Sequence, residues 1–144
     1  TINENRGREG REGGTRPGET DLLYFSLASG QLVRRVELVD VIDRAGSKCR
    51  FLTAGHGTLV ITDLGMDRVY VLHSVTKGVT VFGRSGSGPG CFSDPAGLAV
   101  DSAGNMLVAD SRNHRLCLHD PRGGFLKEVR TFAISSSWFY FLKC

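Results

Sequence analysis

Two stretches of this chain, 47 residues apart, carry the same pattern, and that repeat constrains the fold more than any other feature of the sequence. Thr58-Leu59-Val60-Ile61-Thr62-Asp63 aligns with Asn105-Met106-Leu107-Val108-Ala109-Asp110, so that Asp63 falls on Asp110. At the same offset Gly57 falls on Gly104, Arg68 on Arg115, Val69 on Leu116 and Val71 on Leu118. A partial third copy lies earlier: Gly30–Val36 matches Gly123–Val129 at an offset of 93, nearly twice the first. A period of this length marks a stack of supersecondary units, each burying its faces on its neighbours.

The best-formed copy shows what the unit is. Ala96–Val100 is a short apolar run, and Ser102-Ala103-Gly104-Asn105 after it is a hairpin turn with Gly where a positive φ is needed. Met106–Ala109 reads as a second strand, closed by Asp110-Ser111-Arg112-Asn113, and Arg115–His119 as a third with Leu116 and Leu118 on one face. Asp120-Pro121-Arg122-Gly123 has the residues of a type I turn, and Gly124–Val129 supplies a fourth strand. Four antiparallel strands joined by tight hairpins make a meander sheet. Such sheets repeating every ~40–50 residues are the signature of a β-propeller. The expected fold is therefore all-β: a partial blade over 22–38, a degenerate blade over 47–83 and a regular blade over 96–130, within a repeat region of 21–130. A closed propeller needs about four blades at least, so the expected propeller is incomplete.

The flanks read differently. Residues 1–20 are mostly Gly, Arg and Glu, with four Arg against four Glu; too little apolar surface is present to offset chain entropy, and a disordered, solvated tail is expected. Residues 131–144 break the repeat with the uncharged aromatic run Trp138–Leu142, an atypical end or a docking peptide. The chain opens on Thr1 rather than Met, which reads as a fragment. No signal-peptide pattern and no apolar run of ~20 residues is visible, so no membrane association is expected. Cys49, Cys91, Cys117 and Cys144 form no CxxC pair and read as reduced thiols in a cytoplasmic protein.

No catalytic chemistry is expected of the chain. The loop Gly86-Ser87-Gly88-Pro89-Gly90 lacks the lysine and spacing of a phosphate cradle, and Pro89 has no N–H to offer, so it reads as an inter-blade linker. His114 and His119 would point to opposite faces of a strand; Cys117 and His119 share a face but supply only two ligands. No metal site and no cofactor are expected. Asp63, Asp101 and Asp110 end strands, where a carboxylate accepts backbone N–H groups across a turn. Arg68 and Arg115 recur at equivalent positions and read as structural partners of a fixed carboxylate. Arg84, Arg112, His114 and Arg122 lie in loops, where binding residues concentrate, and are the candidates for a partner surface.

The run Phe82–Asp101, FGRSGSGPGCFSDPAGLAVD, followed by Gly104–Leu116, GNMLVADSRNHRL, resembles the NHL repeat. That family's pattern is roughly G-x-G-x-G-P-G-x-F-x-x-P-x-G-[IL]-A-V-D and then G-x-[IL]-x-V-A-D-S-x-N-H-R-[IV]. The resemblance is strong over 82–130 and weak over 51–81, where Leu64-Gly65-Met66 replaces the Ser-x-Asn segment although Asp67-Arg68 keeps its end. Over 22–38 it is a trace. The resemblance implies a six-bladed parent propeller, with Asp63, Arg68, Gly104, Asp110, Asn113 and Arg115 as structural repeat positions. NHL propellers often end tripartite-motif ubiquitin ligases, so it also implies a substrate-recognition module for ubiquitin-dependent degradation, without ligase chemistry of its own. Two rivals remain at this level. Some NHL propellers bind RNA through a basic face, although thirteen Lys or Arg against eleven Asp or Glu over 21–130 do not favour that here. Related propellers are metal-dependent lyases or hydrolases, although no carboxylate and histidine set spaced through the blades matches theirs.

Overall fold

Short β-prone runs separated by glycine turns fold as the hairpins they encode. A computed structural model describes residues 21–38, 42 and 46–130 of the chain. Ten strands occur among them, in three antiparallel sheets. The first is a hairpin of β1 (Asp21–Phe25) and β2 (Leu32–Glu37). The second is a meander of β3 (Cys49–Gly55), β4 (Thr58–Asp63), β5 (Arg68–His73) and β6 (Val79–Phe82). The third is a meander of β7 (Pro95–Val100), β8 (Met106–Asp110), β9 (Arg115–His119) and β10 (Phe125–Arg130). A single 3₁₀ turn, Ser111–Asn113, joins β8 to β9. The two four-stranded sheets are the repeated units, and the architecture is that of part of a β-propeller. No helix among the described residues is long and apolar enough to cross a membrane.

The repeat survives down to hydrogen bonds. Asp63 pairs with Arg68 in the β4–β5 ladder and Asp110 with Arg115 in the β8–β9 ladder. The turns of the β1–β2 and β9–β10 hairpins share a glycine at the equivalent place but not its hydrogen-bond partner. Gly30 at φ +68° donates to the Ser26 carbonyl at 2.8 Å, and Gly123 at φ +85° donates to the Asp120 carbonyl at 2.9 Å. Both turns need a positive φ that glycine adopts without a Cβ penalty.

Side-chain alternation along β4 and β5 sends apolar groups to both faces of the second sheet. Val60, Val69 and Val71 face the third sheet and pack with Phe92, Leu98, Met106, Val108 and Cys117. Ile61 and Tyr70 face the other way and pack with Leu38 and Ile42, against Leu22 and Val36 of the first hairpin. Strand β7 packs on β3 and β4. There the backbones run close: a Cβ on Gly55 would lie 3.2 Å from the Val100 side chain. The tail at 1–20 and the aromatic end at 131–144 lie outside the described residues.

Candidate interaction site

The connection from the second sheet to the third is held by one buried cation. Arg115 opens β9 and is 2% exposed. Its Nε donates to Asp110 Oδ2 at 2.8 Å and its Nη1 to Glu128 Oε2 at 2.6 Å. Nη2 reaches across to the linker, donating to the carbonyls of Gly88 at 3.0 Å and Cys91 at 2.9 Å. Burial acts to lower the Arg115 pKa, but the hydrogen bonds it donates to Asp110 and Glu128 outweigh this and the guanidinium is held above its usual range. Asp110 also accepts the Ser93 N–H at 2.7 Å and the Asn113 amide at 2.9 Å, while the same Asn113 amide donates to the Gly86 carbonyl at 2.9 Å. Asp110, Asn113 and Arg115 thus form one network that shapes the Gly-rich linker.

Asp63 occupies the equivalent place with different partners. It accepts the Ser47 hydroxyl at 2.5 Å and the N–H groups of Lys48, Gly65 and Met66 at 2.7, 2.9 and 3.2 Å. Arg68 makes no side-chain hydrogen bond or ion pair with another described residue. The physical reason is visible in the repeat: Val81 stands where Glu128 does, and positions 41 and 44, equivalent to Gly88 and Cys91, lie outside the described residues. The equivalence of the two arginines therefore holds in backbone register and stops at the side chain.

The loop candidates divide between two ends of the third sheet. Arg84, Arg112 and His114 lie at the linker end. Arg112 donates its backbone N–H to the Ser93 carbonyl at 3.1 Å, and its exposed side chain is 3.5 Å from Asp94 Oδ2. Arg84 Nε donates to Cys91 Sγ at 3.3 Å. His114 is exposed and sits at φ +53°, ending the 3₁₀ turn. Arg122 lies in the β9–β10 turn, a strand of five residues away, or about 17 Å at the usual rise. It cannot share a small ligand with the other three.

At that second end the structure shows a cleft that the sequence alone did not reveal. The turn between β3 and β4 meets the β7–β8 and β9–β10 turns around an opening of about 330 Å³. Its walls include His56, His73, Val71, Met106, Gly104 and Pro121. Gly104, at φ +86°, lies under the His56 ring; a Cβ there would stand 2.8 Å from it. His73 Nε2 is 3.1 Å from the Thr80 hydroxyl. Loop placement was the available signal for His56, which sits one residue before a repeat glycine just as Ala103 does. Nothing in the sequence shows that turns 47 residues apart meet.

Buried thiols and acids complete the electrostatics. Burial pushes the Cys117 thiol up to about 11 and also raises Cys49. Such thiols are poor nucleophiles and ligands at neutral pH. Hydrogen bonds from Asn105, side chain first, lower the Asp101 carboxyl. Among the described residues no three His, Cys, Asp or Glu side chains are placed to hold a metal ion.

Comparison with known proteins places this arrangement. Residues 92–117, from the linker through the Arg115 network, match the family model described as NHL repeat. The chain is 50% identical over 48 residues to E3 ubiquitin-protein ligase TRIM32 of Homo sapiens, a stretch covering 33% of this chain and 7% of that protein. It is 43% identical over 44 residues to B-box type zinc finger protein ncl-1 of Caenorhabditis elegans, covering 31% and 5%. It is 41% identical over 44 residues to Protein brain tumor of Drosophila melanogaster, covering 31% and 4%. The matched stretch thus spans less than a tenth of each relative's length. With the linker, the Asp110–Arg115 network and the paired meander sheets in place, residues 92–117 form an NHL repeat, and the described sheets are part of an NHL-type β-propeller.

Proposed function

We propose that this chain is a protein-recognition module of a longer NHL-repeat protein that acts in ubiquitin-dependent degradation. The observation carrying this reading is the likeness of its repeat to a protein named as an E3 ubiquitin ligase. The architecture supports it: the titratable groups of the third sheet are engaged in structural networks, while its loops present side chains outward. The ligase chemistry is assigned to other parts of the longer protein, and the repeats select the substrate. The test uses the intact protein. It should capture ubiquitin-conjugating enzymes, and the triple substitution Arg84→Ala, Arg112→Ala and His114→Ala should reduce conjugates on its substrate without reducing that capture. An intact protein that captures no ubiquitination machinery refutes the ubiquitin reading.

A second reading, RNA binding, is favoured by the gathering of Arg84, Arg112 and His114 at one end of the third sheet. Phosphate contacts release counterions, so affinity would fall steeply with salt. Arg112→Ala would weaken binding while Arg122→Ala, at the other end, would not. Binding that is absent or insensitive to salt removes this reading.

A further inference from the structure

His119 is the last residue of β9 and has no exposed surface. Its Nδ1 lies 3.1 Å from the Gly123 carbonyl. A carbonyl only accepts, so Nδ1 carries the proton and Nε2 is left as a bare acceptor. Nε2 is buried and has no partner among the described residues. Three phenyl rings surround the imidazole: Phe82 at 4.7 Å between centroids, Phe92 at 5.3 Å and Phe125 at 5.7 Å. Phe82 belongs to β6 of the neighbouring sheet and Phe92 to the linker, so the imidazole lies on the seam between the two blades. Gly123 closes the same clamp from the other side: a Cβ there would stand 2.6 Å from the Phe82 ring.

We propose that His119 is a proton-operated latch on this seam: neutral, it holds Phe82 against the Asp120–Gly123 turn; protonated, it releases that contact and lets the turn move. Pro121 of that turn walls the 330 Å³ cleft, so the latch governs the cleft's shape. The inference concerns the seam and stands whether or not the ubiquitin reading does.

The argument follows from what a second ring proton would meet. Protonation puts an N–H on Nε2, where no acceptor waits, and a charge among phenyl rings in place of water. Aromatic faces attract a cation, but weakly against the hydration it gives up. The charged groups near the ring are few. On its own turn Asp120 favours the imidazolium; on its own strand Arg115 opposes it; β6, β10 and the linker face it with Phe82, Phe125 and Phe92, and β8 pairs it with Met106. Burial dominates this balance and pulls the imidazole below its ordinary 6.5. The folded state therefore binds the proton less well than the unfolded one. The seam is fully held above about 6.5, and its stability drains away as the pH falls from there toward the depressed folded value.

The test is an NMR titration of the four histidines in the full chain, with amide hydrogen exchange at Gly86 and Phe92, the linker groups beside the seam. His119 should titrate below 6.5, and seam protection should fall about tenfold for each pH unit between 6.5 and that midpoint. His119→Phe should keep the aromatic packing and abolish this acid-dependent loss. A midpoint for His119 at or above 6.5 overturns the proposal, and so does a His119→Phe chain whose seam loosens with acid as the parent does. Should His119→Phe fail to fold, the titration of the unsubstituted chain still decides.

Discussion

The second and third sheets share a template and differ in how they are covered. Both faces of the second are packed: Val60, Val69 and Val71 on one, Ile61 and Tyr70 on the other. In the third, only one face is packed by described residues. Arg115, Cys117 and His119 are buried, while Leu116 and Leu118 between them are only partly so, and Leu126 and Val129 on β10 are exposed. Yet the third sheet carries the family pattern best. Its stability relies on a polar network tying strands to linker, and that of its neighbour on apolar contact from two sides. A repeat can therefore lose its signature residues where packing substitutes for them.

The sharpest way to break this comparison is at the paired aspartates. Asp110→Ala would take the buried carboxylate from Arg115 Nε and the Ser93 N–H, leaving Glu128 as the cation's remaining carboxylate, and should cost about 3–5 kcal/mol. Asp63→Ala leaves backbone donors in a turn that water can reach and should cost about 1–2 kcal/mol. Urea unfolding of the full chain checks both; equal losses would mean that the two aspartates do the same work. Next are the apolar faces. Ile61→Ala, in the doubly packed sheet, should cost about 2–5 kcal/mol, and Leu116→Ala less than half as much, read from the same midpoints.

A reciprocal swap sharpens the comparison further. Thr62 and Ala109 are equivalent, and the buried Thr62 hydroxyl has no partner among the described residues. Ala109→Thr should cost about 1–3 kcal/mol by burying an unpaired hydroxyl, whereas Thr62→Ala should change stability by less than about 1 kcal/mol in the same measurement. The smallest effect is acid sensitivity at Glu128. Hydrogen bonds from Arg130 and then Arg115 hold its carboxyl below the ordinary 4.5. Its contribution is present above that value and lost as pH falls through the depressed one. Glu128→Gln should lower stability slightly at pH 7, where the charged partner is lost, and flatten the profile below pH 4.5.

Much of the fold was legible because it is written locally. Alternating apolar residues and turn glycines such as Gly104 and Gly123 need no distant partner to act, and the 47-residue register showed which strands correspond. The site was less legible because it is made of backbone and of neighbours. Arg115 meets the carbonyls of Gly88 and Cys91, and no residue type advertises a carbonyl. Loop membership alone marks the loop candidates, and it does not say that Arg84, Arg112 and His114 share an end while Arg122 does not. His119 read as half of an incomplete metal pair, and its aromatic surroundings come from three separate elements.

The linker's composition suggests a segment that proteases would cut first, since Ser85, Gly86, Ser87 and Pro89 are exposed. Cleavage requires about ten residues of backbone to peel into an extended form, and here that backbone is tethered. Gly86, Gly88, Cys91 and Ser93 each lend a carbonyl or an N–H to Asn113, Arg115 or Asp110. The Ser74–Gly78 turn, where Val75 is 88% exposed, should be nicked before the linker is. A glycine-rich crossing between blades thus behaves as a strut, and the sheets it joins turn as one body.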